Sequence, residues 1–445
     1  MISRMFSRFN ISIGSVTHQI FKKPTSLSRS VIARKFCNEI ARPENFATAG
    51  TMNDVHIKMM ERIGLEPGYS PIPRSREHLI QYQPSSADLP PRSMADSFTS
   101  AVIPLSSSKS LQDLYVSYLG HVRFGRLMQD MDLFAVWVCH QHVNIPNLDK
   151  NIHLPYTFVT IMVDKIDFTD FSPKGTSDIR LSGHVSWVGK SSMEIVVWLE
   201  QEFEGTYKKI TRALFLMAAR NATNTGPAPV NQISPGNEHE QNILIGGEER
   251  KKRRIDHQKM SLLKVVPSNY EQSIMHDIFT RITRKDTIQL DKRVLPANGK
   301  WMADCSIMNT IPCFPEHRNA HNKVFGGFIM KIALENSWVC AYLHAKSRPK
   351  LETISDISFE KPVDVSSFLQ MNAYVTYTEM NFMVVMVVAD VLNPTGGRMT
   401  SNVLYYVWKC NESVPEVIPG SYHEMMWYLM GRRKLNYALG LTSGV

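Results

Sequence analysis

Two stretches of this chain run through the same order of elements. Each contains a helix-length segment that is apolar around most of its circumference. In the second stretch, Phe325-Gly326-Gly327 opens a segment to about Ala345 carrying Phe328, Ile329, Ile332, Ala333, Leu334, Trp338, Val339 and Ala341. A helix apolar on all sides cannot lie on a protein surface, so other elements must surround it. The spacing predicts a strand over Trp301–Ile311 before it, and strands over Thr353–Phe359, Ser367–Thr378, Phe382–Val391 and Thr400–Trp408 after it. Turn residues such as Lys361-Pro362 and Asn393-Pro394 separate these blocks. The first stretch repeats the plan. Ser97–Ile103 ends at Pro104, Arg123-Phe124-Gly125 opens a helix to about His142, and strand blocks follow at Phe158–Phe168, Ser177–Val188, Ser192–Phe203 and Lys208–Ala218. Gly125 matches Gly327 at an offset of 202 positions.

One strand, one long apolar helix and four long strands make an α+β unit. Only a sheet that curls around the helix can bury it. The expected fold is therefore a tandem (double) hotdog, each half a curved antiparallel sheet wrapped around one long buried helix, the two halves pairing within the chain. The 445 residues divide accordingly. A basic leader spans 1–37, an N-terminal arm 38–96, the first hotdog 97–222, a linker 223–297, the second hotdog 298–410 and a C-terminal tail 411–445. The prolines of the arm suit an extended strap around a neighbour. No apolar run approaches the roughly 20 residues of a membrane span. The six cysteines contain no Cys-x-x-Cys, which argues against a disulfide framework or a Cys-rich zinc site.

The formal charge of +9 is concentrated at one end. Residues 1–38 hold Arg4, Arg8, Lys22, Lys23, Arg29, Arg34 and Lys35 and no acid, and without these seven the net charge is +2. A basic, Ser-rich, acid-free segment with spaced apolar residues has the composition of a mitochondrial transit peptide, with import to the matrix. The remainder shows no basic excess that would call for nucleic acid. The run Glu248-Glu249-Arg250-Lys251-Lys252-Arg253-Arg254 reads as a solvated helix face in the linker.

The most specific pattern is Asn319-x-His321-x-x-Val324-Phe325-Gly326-Gly327-Phe328-Ile329-Met330-Lys331-x-Ala333-x-Glu335, followed by Phe359-Glu360-Lys361-Pro362-Val363. With the first-repeat run Val122–Asp132 it resembles the mitochondrial double-hotdog acyl-CoA thioesterases over about Ser97–Trp408. The resemblance implies hydrolysis of acyl-CoA to free acid and CoA, with no metal or redox cofactor, in a homo-oligomer that is a trimer of double hotdogs. The residues suit that chemistry. Backbone N–H groups at a helix N-terminus hold an oxyanion, and glycine lets a thioester approach. Gly326 and Gly327 supply such a terminus and Gly125 its counterpart, with Arg126 in place of the second glycine. Water needs a carboxylate as base. The resemblance places it seven positions after the second glycine, which gives Asp132 in the first repeat but Leu334 in the second, with Glu335 one step on. Pairing across repeats would set Asp132 against Asn319, His321 and Gly327, and Glu335 against His121 and Gly125.

Other readings stay open. Asn319 is also a common helix cap, and Glu335 and His321 also suit structural hydrogen bonds. The fold also hosts enoyl-CoA hydration, which usually needs an Asp–His pair that Asp132 lacks nearby in sequence, or a catalytically weak acyl-CoA-binding scaffold.

Overall fold

The computed structural model describes residues 46–65, 75–259, 261–284, 293–319 and 323–441. The leader 1–37 and His321 lie outside the described residues. The strands are β1 Ala47–Thr51, β2 Thr99–Ile103, β3 Tyr156–Val163, β4 Ile166–Phe168, β5 Ile179–Val188, β6 Ser192–Phe203, β7 Thr206–Asn221, β8 Gly299–Trp301, β9 Ser306–Pro312, β10 Lys350–Ile354, β11 Ile357–Ser358, β12 Phe368–Glu379, β13 Phe382–Asn393, β14 Gly397–Lys409 and β15 Glu416–Ile418. Thirteen of them form one sheet along β1-β2-β5-β6-β7-β4-β10-β14-β13-β12-β9, with β3 joining β7 to β11. Helices Phe124–His142 and Gly326–Ala345 are the two central helices. The first packs on β3, β5, β6 and β7, the second on β9, β12, β13 and β14, and they also pack on each other.

The curl of the sheet has a visible cause. Ladder irregularities fall between Val185 and Trp187 in β5 and between Val375 and Tyr377 in β12, and again at Leu199/Glu200 and Ala389/Asp390. Bulges at matching places bend and twist both halves alike. The seam obeys a pseudo-twofold: β4 pairs antiparallel with β10 through Asp167↔Thr353 and Ile166↔Ile354, and β3 with β11 through Val163↔Ile357 and Met162↔Ser358.

Within the repeats, the single strands expected at Phe158–Phe168, Thr353–Phe359 and Trp301–Ile311 are each divided, into β3 and β4, β10 and β11, and β8 and β9. Outside them, three segments differ from expectation. Part of the Pro-containing arm joins its own chain rather than a neighbour. Here β1 extends the sheet beside β2, helix Met52–Ile63 packs on the first central helix, and buried Arg76 donates to the carbonyls of Leu154, Tyr156 and Ala222. The span 223–297 carries helices Glu238–Lys259 and Asn269–Ile282. The C-terminal span carries helix Tyr422–Ala438, which covers the outer face of β12–β14. The charge run is not wholly solvated either. Arg250 pairs with fully buried Glu194 of β6 at 2.5 Å, and Arg254 with Glu194 and Asp164, both at 3.2 Å. These covering helices explain why residues 195–199 of β6 and 383–389 of β13 are apolar without alternation: both faces of these stretches are buried.

Candidate active site

The two central helices approach so closely that a Cβ on either glycine would crowd the opposite helix. A Cβ on Gly327 would lie 2.9 Å from Gln129 Cα and 3.0 Å from Gln129 O. A Cβ on Gly125 would lie 3.0 Å from Lys331 O and 3.3 Å from Glu335 Cγ. A Cβ at Gly327 would thus meet backbone closer than real Cβ atoms come, and one at Gly125 would force its neighbours to give way, so each glycine lets the N-terminus of one helix seat against the middle of the other.

That seating brings Asp132 to the N-terminus of the opposite helix. The Gly327 N–H donates to Asp132 Oδ2 at 2.7 Å, and Thr160 Oγ1 of β3 donates to Asp132 Oδ1 at 2.6 Å. The side chain is almost completely buried, at 2% exposure. Burial raises the Asp132 pKa above the ordinary carboxylate value, and the two hydrogen bonds, from Thr160 and Gly327, work against that rise. Two ionised oxygens offer about four acceptor sites, so two remain for a water. Gly326 flanks the carboxylate, its Cβ position 3.5 Å from Asp132 Oδ2 and 3.0 Å from the Phe359 ring. The N–H of Gly327 is thus engaged by Asp132. His317 stacks on Phe328 of the same helix start, ring centroids 3.7 Å apart.

No protein-family model matches this chain. A mouse protein named acyl-coenzyme A thioesterase 9, mitochondrial, is 37% identical over 381 residues, spanning 85% of this chain and 83% of its own. The chain belongs to the acyl-coenzyme A thioesterase family. The human protein of the same name is 36% identical over 394 residues, 87% of this chain and 89% of its own. Among solved structures, an acyl-ACP thioesterase from Bacteroides thetaiotaomicron covers 72% of this chain and 100% of its own at 12% identity, with a TM-score of 0.40.

The second pseudo-equivalent site of this family member is built differently. The seam maps Val163 onto Ile354 and Ile166 onto Ile357, a shift of 191 positions both times, which carries Thr160 onto Leu351. A ladder irregularity follows each of these residues, between Thr160 and Met162 and between Leu351 and Thr353, so the register agrees. In the helices, the shift of 202 carries Asp132 onto Leu334. Both members of the polar pair are thus leucine, and both leucines are buried. Glu335 does reach the start of the first helix, but its Oε1 accepts from Arg123 Nη2 at 2.6 Å and Nε at 3.1 Å. Both side chains are about one-third exposed, 33% and 35%. His121, expected opposite Glu335, lies instead against Arg348. Asn319 bonds to Lys323, its Oδ1 accepting from Lys323 N at 3.1 Å and its N–H donating to Lys323 O at 2.7 Å.

Thr160 is the polar partner that sequence reasoning missed. A lone threonine in a strand carries no motif, and its one signal is an inward position on the strand facing the helix. Arg123, two residues before Gly125, carries no sequence signal of its role, because its partner Glu335 lies 212 residues away.

Proposed function

We propose that this chain hydrolyses acyl-CoA thioesters to the free acid and CoA, with Asp132 as general base toward water. The observation that carries the reading is a buried carboxylate fixed by Thr160 and Gly327 at a helix N-terminus. The thioester oxygen takes the Gly326 N–H and the positive end of the second central helix, where charge develops on attack. Asp132 accepts a water proton as oxygen attacks the carbonyl carbon, and collapse of the adduct expels a thiolate that needs no strong acid. A thiol-release assay across short, medium and long acyl-CoAs tests this. Loss of enoyl absorbance on crotonyl-CoA without thiol release would instead mark a hydratase.

One working site per chain follows from the Leu334 and Leu351 replacements. Glu335→Gln is expected to change kcat less than about three-fold, since a part-exposed ion pair contributes little; thiol-release kinetics on the purified variant check this. Thr160→Val removes a hydrogen bond that favours the ionised base. The base pKa then rises, and the acid limb of kcat/KM moves to higher pH by roughly 1–2 units, from a charge-assisted bond of about 1.5–3 kcal/mol. A pH–rate profile with an unmoved acid limb would contradict the role given to Thr160.

The relatives named above are mitochondrial by name, and the chain is a mitochondrial protein. We infer import to the matrix through residues 1–37; a fusion carrying residues 1–45 is expected to enter mitochondria and be shortened there. The chain also assembles, we infer, into trimers. In the first repeat β1 and helix Met52–Ile63 cover β2 and the central helix, and Trp137 is 7% exposed. In the second, β9 is an outer strand, and Val339 and Leu343 are 41% and 63% exposed. A partner copy on that face would bury them. Light scattering giving the single-chain mass of 50.7 kDa at micromolar concentration would refute assembly.

A further inference from the structure

The helix Glu238–Lys259 presents two unlike faces. Its inner face carries buried Ile243, Gly247 and Arg250 against the sheet. On the outer face, exposed Ile255 is flanked at helical spacing by exposed Lys251, Lys252 and Lys259. The chain then turns through Ser261–Val265, with Lys264 N donating to Ser261 O at 2.8 Å and Val265 N to the same oxygen at 3.0 Å. This turn packs Leu262 against the core and holds Leu263 outward. Leu263 is 92% exposed and Val266 82% exposed, with Lys264 exposed between them. Acids are present as well. Glu248 accepts from the Trp187 indole, Asp256 pairs with Lys259 at 3.2 Å, and Glu249 is exposed. The exposed cations Lys251, Lys252, Arg253, Lys259 and Lys264 outnumber these three acids.

Fully exposed aliphatic side chains on an ordered turn, set among lysines, are poor material for a protein interface, whose core is depleted of lysine. The same arrangement fits an anionic bilayer surface, where aliphatic tips enter the acyl boundary and amines meet lipid phosphates. We propose that the turn around Leu263 and Val266, with the lysine-bearing face of the preceding helix, docks this protein reversibly on anionic membrane surfaces. It would hold the enzyme where long-chain acyl-CoA, itself amphiphilic, partitions. The docking rests on the surface residues named and not on the assignment of the hydrolytic site.

The test is co-sedimentation of the full chain with phosphatidylcholine vesicles, with and without about one-third phosphatidylglycerol. Binding is expected only to the anionic vesicles and should weaken as salt is raised. Leu263→Asp with Val266→Asp should weaken it at least about ten-fold, from the loss of apolar burial. Each of Lys252→Glu and Lys264→Glu should weaken it by about five-fold or more. Thiol release from a short, soluble acyl-CoA should stay unchanged in all of these variants, which shows that they fold. Absence of wild-type binding, or binding that ignores the Leu263 and Val266 changes, overturns the proposal. So does a fall in particle mass by light scattering with vesicle binding intact, which would assign the turn to a contact between copies of the chain.

Discussion

Asp132→Asn is expected to lower kcat by about 10²–10⁴-fold, the usual contribution of a positioned acid–base group, with KM changed little. The substitution keeps the size of the side chain and an oxygen for the Gly327 N–H, so the two helices stay seated. What disappears is the basic oxygen that takes the water proton. The preserved packing makes the measurement decisive: a folded variant with full thiol release would remove Asp132 from the chemistry. In a double variant with Thr160→Val the losses should not add, because Thr160 acts only through Asp132. A residual rate should persist from the oxyanion donor and substrate placement alone.

Glu194→Ala is expected to destabilise the fold by about 3–5 kcal/mol, the range for removing one partner of a buried ion pair. Glu194 has no exposure, and Arg250 and Arg254 both point at it from the helix that crosses the sheet. Truncation strands the deeply buried Arg250 guanidinium and leaves Arg254 with Asp164 alone. Burial pushes the Glu194 pKa up, but Arg250, Arg254 and the Ser186 hydroxyl push it down further, and it ends below the ordinary glutamate value. A carboxylate with a depressed folded pKa contributes stability that is present above its unfolded pKa and is lost as pH falls through the folded one. The wild type should therefore lose this contribution on acidification and the variant should not. Denaturant titration at neutral and acid pH checks both statements. Replacing both Glu194 and Arg250 with methionine should cost less than Glu194→Ala, because no charge at that pair is left unpaired.

Much of this architecture was readable from local pattern. Both central helices begin and end close to the expected residues. A segment apolar all round that opens at Phe-Gly has one physical solution: burial inside a curling sheet. The strand order in each repeat and the asymmetry between Asp132 and Leu334 also follow from residue identity and spacing. The environment of charged side chains does not. Arg250 and Lys251 are neighbours in one basic run, yet one is buried against Glu194 and the other is 51% exposed. The rotation of the helix against the sheet makes that difference, and the run alone does not specify it. The arm read as a strap around a neighbour contributes β1 and a helix to its own chain, because the pairing it finds depends on the free edge of β2. The Asp132 carboxylate meets Thr160 from 28 residues away and Gly327 from 195. Sequence placed a carboxylate on a helix and glycines on another. Pairing across the repeats already set that carboxylate toward Gly327, but only the register of β3 against the helix put the Thr160 hydroxyl beside it, because contacts between distant segments are set by packing and not by local propensity.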